Sequence, residues 1–358
     1  MILAAAALLG RSAAADLSSP APTNSLSRVV VAQGDGLLNA YLPDDARVAA
    51  VFNLGLLQFT HDPSVAAAWR SLVSTNDFVA IKVFSKPGPY CGTRPAVVAA
   101  IVQGLIAAGL PPDNIIIWDK NSEDLWMAGF YELGRKLGVR VSGAAEAGYD
   151  PAIYYLPDTP VVGMLAWNDL EFGQTNRDAG RRSFVTRIIT PQTTKIISVA
   201  PLINENSAGI CGHFYSLGLG SVDNTRRFDG DPDRLSVALP EIMALPSVGD
   251  HVVLDVTDAL LGQYQGGPSS FLQYSTVLNQ IWLSRDPVAL DVLGLQELAR
   301  EAQTFGSLPL PANSQIYTNA ALLELGADDP AKIQIERCGM IRSCCQPRAV
   351  SGLPLAGV

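Results

Sequence analysis

The chain has 358 residues, of which 48% are hydrophobic and 16% charged, and a formal net charge of −9. That length and composition support one large or two ordinary domains with a sizeable core. The acidic balance argues against nucleic acid as a partner, because phosphate binding needs a basic surface, and the pairs Arg181-Arg182 and Arg226-Arg227 are too small to reverse it.

Met1 to Ala15 reads M-I-L-A-A-A-A-L-L-G-R-S-A-A-A, an apolar run with small residues before Asp16. It suits a cleaved signal peptide without its basic start, or a short apolar arm. It is too short to span a bilayer as a helix, so no membrane span is expected in the mature chain. Residues 16–28 read as a linker, 29–336 as a single α/β domain and 337–358 as a cysteine-containing tail. The five cysteines are Cys91, Cys211, Cys338, Cys344 and Cys345, and no C-x-x-C occurs. A zinc ribbon or iron-sulfur cluster therefore has no support. The tail cysteines either pair in an exported protein or remain thiols.

In chain order, Arg47 to Leu57 contains a β-like run (Val48, Val51, Phe52, Leu54), and Asp62-Pro63 caps a helix through Val73. Asp77 to Phe84 reads as a strand interrupted by Lys82. Thr93 to Ala108 is an amphipathic helix whose stripe is Val97, Val98, Ile101, Val102, Leu105 and Ile106, with Gly109 as its stop. Asn114 to Trp118 reads as a strand running into Asp119, Ser122 to Leu137 as a helix, and Val139 to Ser142 as a strand. Further strands are expected at Lys195 to Ala200 and His251 to Thr257. Asp255 and Asp258 close the second of these before a flexible Gly262 to Pro268 loop. Helices follow at Arg234 to Leu245, Asp286 to Arg300 and Asn313 to Leu325, and a last strand at Lys332 to Glu336. Strand-length apolar runs alternating with helices predict an α/β fold, a largely parallel sheet covered by helices on both faces, in one lobe or two.

Candidate chemistry sits where charge interrupts apolar sequence. Lys82 in a buried strand needs a carboxylate neighbour, such as Asp119 or Asp255, or its pKa falls. Asp286 suits a helix N-cap with Pro287 at the first position. Asp291, among Val288, Ala289, Leu290, Val292 and Leu293, must find a partner or shift its own pKa. Lys82, Asp119, Asp255 and Asp291 are thus either a polar centre or separate structural groups. The stretch Pro201 to Phe228 reads as a glycine-bearing loop that offers Asn204, Glu205, Asn206, His213, Asp223, Asn224 and Arg226 to a ligand. Gly266 and Gly267 allow close backbone approach, or simply a tight turn. His213 is either a hydrogen-bonded structural residue or a base. H-E-x-x-H, G-x-S-x-G, Walker A and G-x-G-x-x-G patterns are absent, so protease, hydrolase and nucleotide readings have no motif behind them.

The order Ala80-Ile81-Lys82-Val83, Thr93 before a helix, Ile115 to Asp119, Lys195 to Pro201, Gly218 to Phe228, Asp255 to Pro268 and S-x-D-P-V-A-L-D at Ser284 to Asp291 resembles the bacterial and archaeal family called domain of unknown function 362. The resemblance spans roughly Phe78 to Glu336. It implies an α/β fold and export, in the manner of members with twin-arginine signals, and hence a periplasmic protein. It also marks departures. A lysine-acid-histidine triplet is replaced by Asn204, Glu205 and Asn206, a second lysine by Tyr215, and a histidine by Asp229.

Two functions follow as expectations. One is an enzyme or binder for a small molecule, with Lys82, Asp119, Asp255 and Asp291 around a hard cation such as Mg²⁺ or Ca²⁺. The other is a non-catalytic binding or assembly protein with a degenerate site and a protein partner. The discriminating geometry is whether those four residues meet in one cleft lined by Pro201 to Phe228.

Overall fold

A computed structural model describes residues 26–158, 161–309 and 312–340. The apolar run Met1 to Ala15, most of the linker, and Cys344 and Cys345 lie outside the described residues. In chain order the elements are β1 (Ser27–Gly34), β2 (Leu38–Asn39), β3 (Leu42–Pro43), α1 (Asp45–Thr60), α2 (Val65–Leu72), β4 (Val79–Val83), α3 (Gly88–Cys91), α4 (Pro95–Ala107), β5 (Ile115–Asp119), α5 (Ser122–Met127), α6 (Phe130–Leu137), β6 (Arg140–Gly143) and α7 (Ala144–Ala147). There follow β7 (Tyr149–Tyr155), β8 (Ser183–Thr186), β9 (Lys195–Glu205), β10 (Gly209–Ile210), α8 (His213–Ser221), α9 (Pro232–Met243), β11 (Val252–Gln263), β12 (Ser275–Ser284), α10 (Pro287–Thr304), α11 (Ser314–Leu322) and β13 (Ile333–Met340).

Nine strands form one sheet in the order β13-β1-β12-β11-β9-β4-β5-β6, with β10 paired to β9. The run from β11 through β9, β4, β5 and β6 is parallel, while β12 runs antiparallel to both β1 and β11. The fold is therefore α/β with a large, mostly parallel mixed sheet between helices. Side chains of a strand alternate between faces. Val79, Ile81 and Val83 of β4, and Ile197 and Val199 of β9, share one core with α1, α2, α4 and α6. Ala80 and Ile196 point to the other core, with α8, α9, α10 and α11.

Most expected elements are present, with informative exceptions. Residues 47–57 are not a strand but part of α1, capped by Asp44, whose side chain accepts from Arg47 N. Its buried Val48, Val51, Phe52 and Leu56 recur at helical spacing, which outweighs the β-branched valines. The Ser122 to Leu137 helix is two helices, divided at Gly129, which has φ 87°. β9 and β11 run well past their expected ends, so Asp255 and Asp258 lie inside a strand rather than closing it. The folded unit also extends to Ser27 and Met340, beyond the 29–336 boundaries, and places Cys338 in β13.

Candidate functional site

Strand register brings the polar interruptions together. Lys82 of β4 pairs in register with Trp118 of β5 and Ser198 of β9. Ser198 pairs with Asp255 of β11, which pairs with Ser284 of β12. Lys82, Ser198, Asp255 and Ser284 therefore form a row across four adjacent strands on one face. Helix α8 supplies partners to this row from above. Its first residue is His213; Ser216 is about one turn later, and Gly220 one turn further. Pro201 to Phe228 is thus not a loop but the end of β9, the short strand β10, α8 and a turn.

The Lys82 ammonium uses all three of its donors. It donates to Asp119 Oδ1 at 2.8 Å, Ser216 Oγ at 3.1 Å and the Val83 carbonyl at 2.6 Å. Asp119 Oδ2 accepts from Ser85 N (2.7 Å) and Ser85 Oγ (2.6 Å), and its Oδ1 also accepts from Lys120 N (2.8 Å). Lys82 is 0% exposed and Asp119 3%. Burial lowers the Lys82 pKa, and the Asp119 charge and hydrogen bond oppose that fall. A Cβ on Gly220 would collide with Lys82 Cε, so this glycine makes room for the lysine stem under the helix.

One turn back, His213 Nδ1 lies 2.8 Å from Ser198 Oγ and 3.4 Å from Asp255 Oδ1, and Nε2 lies 3.2 Å from Thr257 Oγ1. Burial pulls His213 down to about 3. Asp255 is 0% exposed, and neither carboxyl oxygen has a hydrogen bond among the described residues. Burial pushes its pKa well above the ordinary carboxylate range, and the charges of Asp291 and Asp286 add to the rise. Asp255 and His213 therefore meet as two neutral groups rather than as an ion pair.

Asp291 anchors the start of α8. Its carboxylate accepts from His213 N at 2.7 Å and Phe214 N at 3.1 Å, and hydrogen-bonds the Tyr317 side chain. Negative charge at a helix N-terminus is favourable. Burial nonetheless pushes Asp291 up to about 7, against the pull of those three donors. At the other end of α8, the Lys120 ammonium donates to the carbonyls of Leu219 and Val222. Nearby, Asp258 pairs with Arg94 at 2.9 Å, both buried, and accepts Arg94 N. Asp286 caps α10 through Ala289 N, as its sequence position predicts, and also accepts Ala327 N.

Of the expected ligand-binding residues, His213 alone joins the row. Asn204 Oδ1 accepts Gly267 N at 2.9 Å, beside Gly266, whose φ is 89°. Glu205 closes a turn by accepting Ser207 N and Ala208 N, each at 2.7 Å. Asn224 donates to the carbonyls of Gly180 and Arg182 beyond the far end of α8, and Arg226 is exposed there. Two positions marked by the family resemblance pair with each other: Tyr215 Oη donates to Asp229 Oδ1 at 3.2 Å.

Lys82, Asp119, Asp255 and Asp291 thus gather beneath and around one helix. Among the described residues, none of the four lines any of five surface cavities of about 240–450 Å³, although Ser284 of the row lines one of them. Among the described residues, no group of three His, Cys, Asp or Glu side chains is arranged to hold a metal ion. Sequence reasoning passed over Ser198, Ser216, Thr257, Ser85 and Tyr317. Ser198 carried a readable signal, since it breaks the apolar run Ile196 to Ala200 as Lys82 breaks Val79 to Val83. No helix of the described residues is long and apolar enough to cross a membrane. No family model and no curated protein matches this chain.

Proposed function

We propose that the chain is a non-catalytic α/β binding protein. Its polar row holds α8 on the sheet, and contact with ligand or partner is made at the outer surface. The observation that carries this reading is the sealing of the row: Lys82, Asp119, Asp255 and Asp291 are each at most 3% exposed. A catalytic acid, base or nucleophile must be reachable by the group it acts on. The engaged states of Asn204, Glu205 and Tyr215 support the same reading, because these three of the substituted positions are tied into the scaffold, while Asn206 is exposed. The motif order supports keeping the resemblance to the unknown-function 362 family, and the Met1 to Ala15 run supports export, as parts of this proposal.

One observation favours the metal-assisted enzyme instead, namely that the Asp255 oxygens have no hydrogen bonds among the described residues. Two variants, Lys82→Met and Asp255→Asn, separate the readings. Metal content, unfolding free energy and melting shifts across a metabolite panel would be measured for each variant and the parent. The binding reading expects no stoichiometric metal, altered stability, and ligand responses that persist in both variants. Bound metal lost in Asp255→Asn, or a turnover abolished by Lys82→Met in a folded protein, would establish the enzyme.

A further inference from the structure

The chain leaving β7, the turn after α8 and helix α9 enclose a cavity of about 450 Å³. That size falls within the usual range for small-molecule sites, roughly 300–1,000 Å³. Its apolar lining includes Pro157, Val161, Phe228 and Val237. Val237 is 46% exposed, although its α9 neighbours Leu235, Ala238 and Leu239 are buried. A flat apolar body laid in the cavity would cover that side chain and gain the hydrophobic term.

The charges around the cavity divide into engaged and open groups. Arg227 donates to Ser183 Oγ, the Arg181 carbonyl and the Tyr155 carbonyl, and its guanidinium stands 5.2 Å and 5.6 Å from the Tyr155 and Phe228 ring centres. Arg234 is held by Asp231 at 3.1 Å and by the Arg227 carbonyl at 3.1 Å. Glu241 accepts the Tyr155 hydroxyl at 2.7 Å. Asp158 and Asp233 differ: both line the cavity, both are exposed, and neither carboxylate has a partner among the described residues. The groups left open at the rim are therefore negative.

We propose that this cavity binds a small organic cation, an ammonium on a compact aromatic or aliphatic body. The body lies between Val161 and Val237, and the ammonium sits at Asp158 and Asp233. This assignment rests on the binding-protein reading and names the ligand class for it. Charge-assisted hydrogen bonds to two open carboxylates supply the selectivity for a cation over an anion of the same shape.

Calorimetric titration of the full chain with phenethylamine and hexylamine, and with phenylpropionate as the anionic control, tests the site. The expected result is saturable amine binding with no binding of the carboxylate. In Asp158→Asn/Asp233→Asn the amine affinity should fall at least about tenfold, and in Val237→Lys it should vanish. Both variants alter exposed side chains, so the parent melting temperature should be retained. Absence of binding by both amines, equal binding of amine and carboxylate, or amine binding unchanged in both variants would overturn the site. None of these results depends on Lys82 or Asp255. The site can therefore fail while the non-catalytic reading stands, and a turnover lost in Lys82→Met would end that reading without this titration.

Discussion

Replacing Asp119 with alanine perturbs the buried row at its most connected point. The change leaves the Lys82 ammonium with only Ser216 Oγ and the Val83 carbonyl, and removes the acceptor used by Ser85 N, Ser85 Oγ and Lys120 N. Losing one partner of a buried pair costs about 3–5 kcal/mol, and the three stranded donors place Asp119→Ala at the upper end. Lys82→Met is the milder change. It keeps most of the stem volume, and Asp119 retains those three donors, so a loss of about 2–3 kcal/mol is expected. Urea unfolding with linear extrapolation measures both. A pH signature accompanies the first variant. Without Asp119 the folded-state pKa of Lys82 falls further below its unfolded value of about 10.4. Between those two values the unfolded chain binds the extra proton, so the stability of Asp119→Ala should rise with pH on the alkaline side more steeply than that of the parent. A cost for Asp119→Ala below about 1 kcal/mol, the scale of a solvent-exposed pair, would refute the reasoning. So would a larger cost for Lys82→Met than for Asp119→Ala.

Asp255→Asn should show its effect as a slope. The folded protein keeps the Asp255 proton that the unfolded chain releases above about pH 4, so this group's contribution is present at low pH and declines as pH rises. The variant should gain on the parent by up to about 1.4 kcal/mol per pH unit over that window, read from unfolding curves at several pH values; a difference independent of pH would contradict a neutral Asp255. Gly220→Ala should destabilise by roughly 1–3 kcal/mol through overpacking against Lys82, although alanine ordinarily improves a helix interior by about 1 kcal/mol. On a Lys82→Ala background the Gly220→Ala loss should vanish, read in thermal unfolding against Lys82→Ala alone, and a loss that persists there would place the clash elsewhere.

Strands were the legible part of this sequence. Ile115 to Trp118 is a continuous apolar run bounded by polar residues, Ile196 to Ala200 is apolar but for Ser198, and such runs have few alternatives in a sheet covered on both faces. Helix α8 was not legible. Its sequence H-F-Y-S-L-G-L-G-S contains Gly218 and Gly220, which lower helix propensity and read as turns. Their reason is tertiary: a Cβ at Gly218 would come 2.9 Å from Leu239 Cδ2, and one at Gly220 would strike Lys82. The pairing of Lys82 with Asp119 could be anticipated from charge within apolar strands. The role of Asp291 could not, because its partners are backbone amides of a helix that the sequence disguised as a loop. The cavity beside α9 left equally little trace, since Asp158 and Asp233 look like ordinary solvated acids until the fold sets them on one rim.

Strand β1 lies between β12 and β13, the last two strands of the sheet to be made. Its registers join Val30 to Leu283 and to Glu336. During synthesis Val29 to Ala32 must therefore wait, with both backbone edges open, until residues about 250 and 300 positions later have emerged. Contacts so distant along the chain form slowly and leave aggregation-prone edges exposed in the meantime. The nascent polypeptide thus carries an unclaimed sticky ribbon through most of its elongation, and a holdase that shields β1 during synthesis should raise the yield of folded protein more than one that acts on the β4–β6 half.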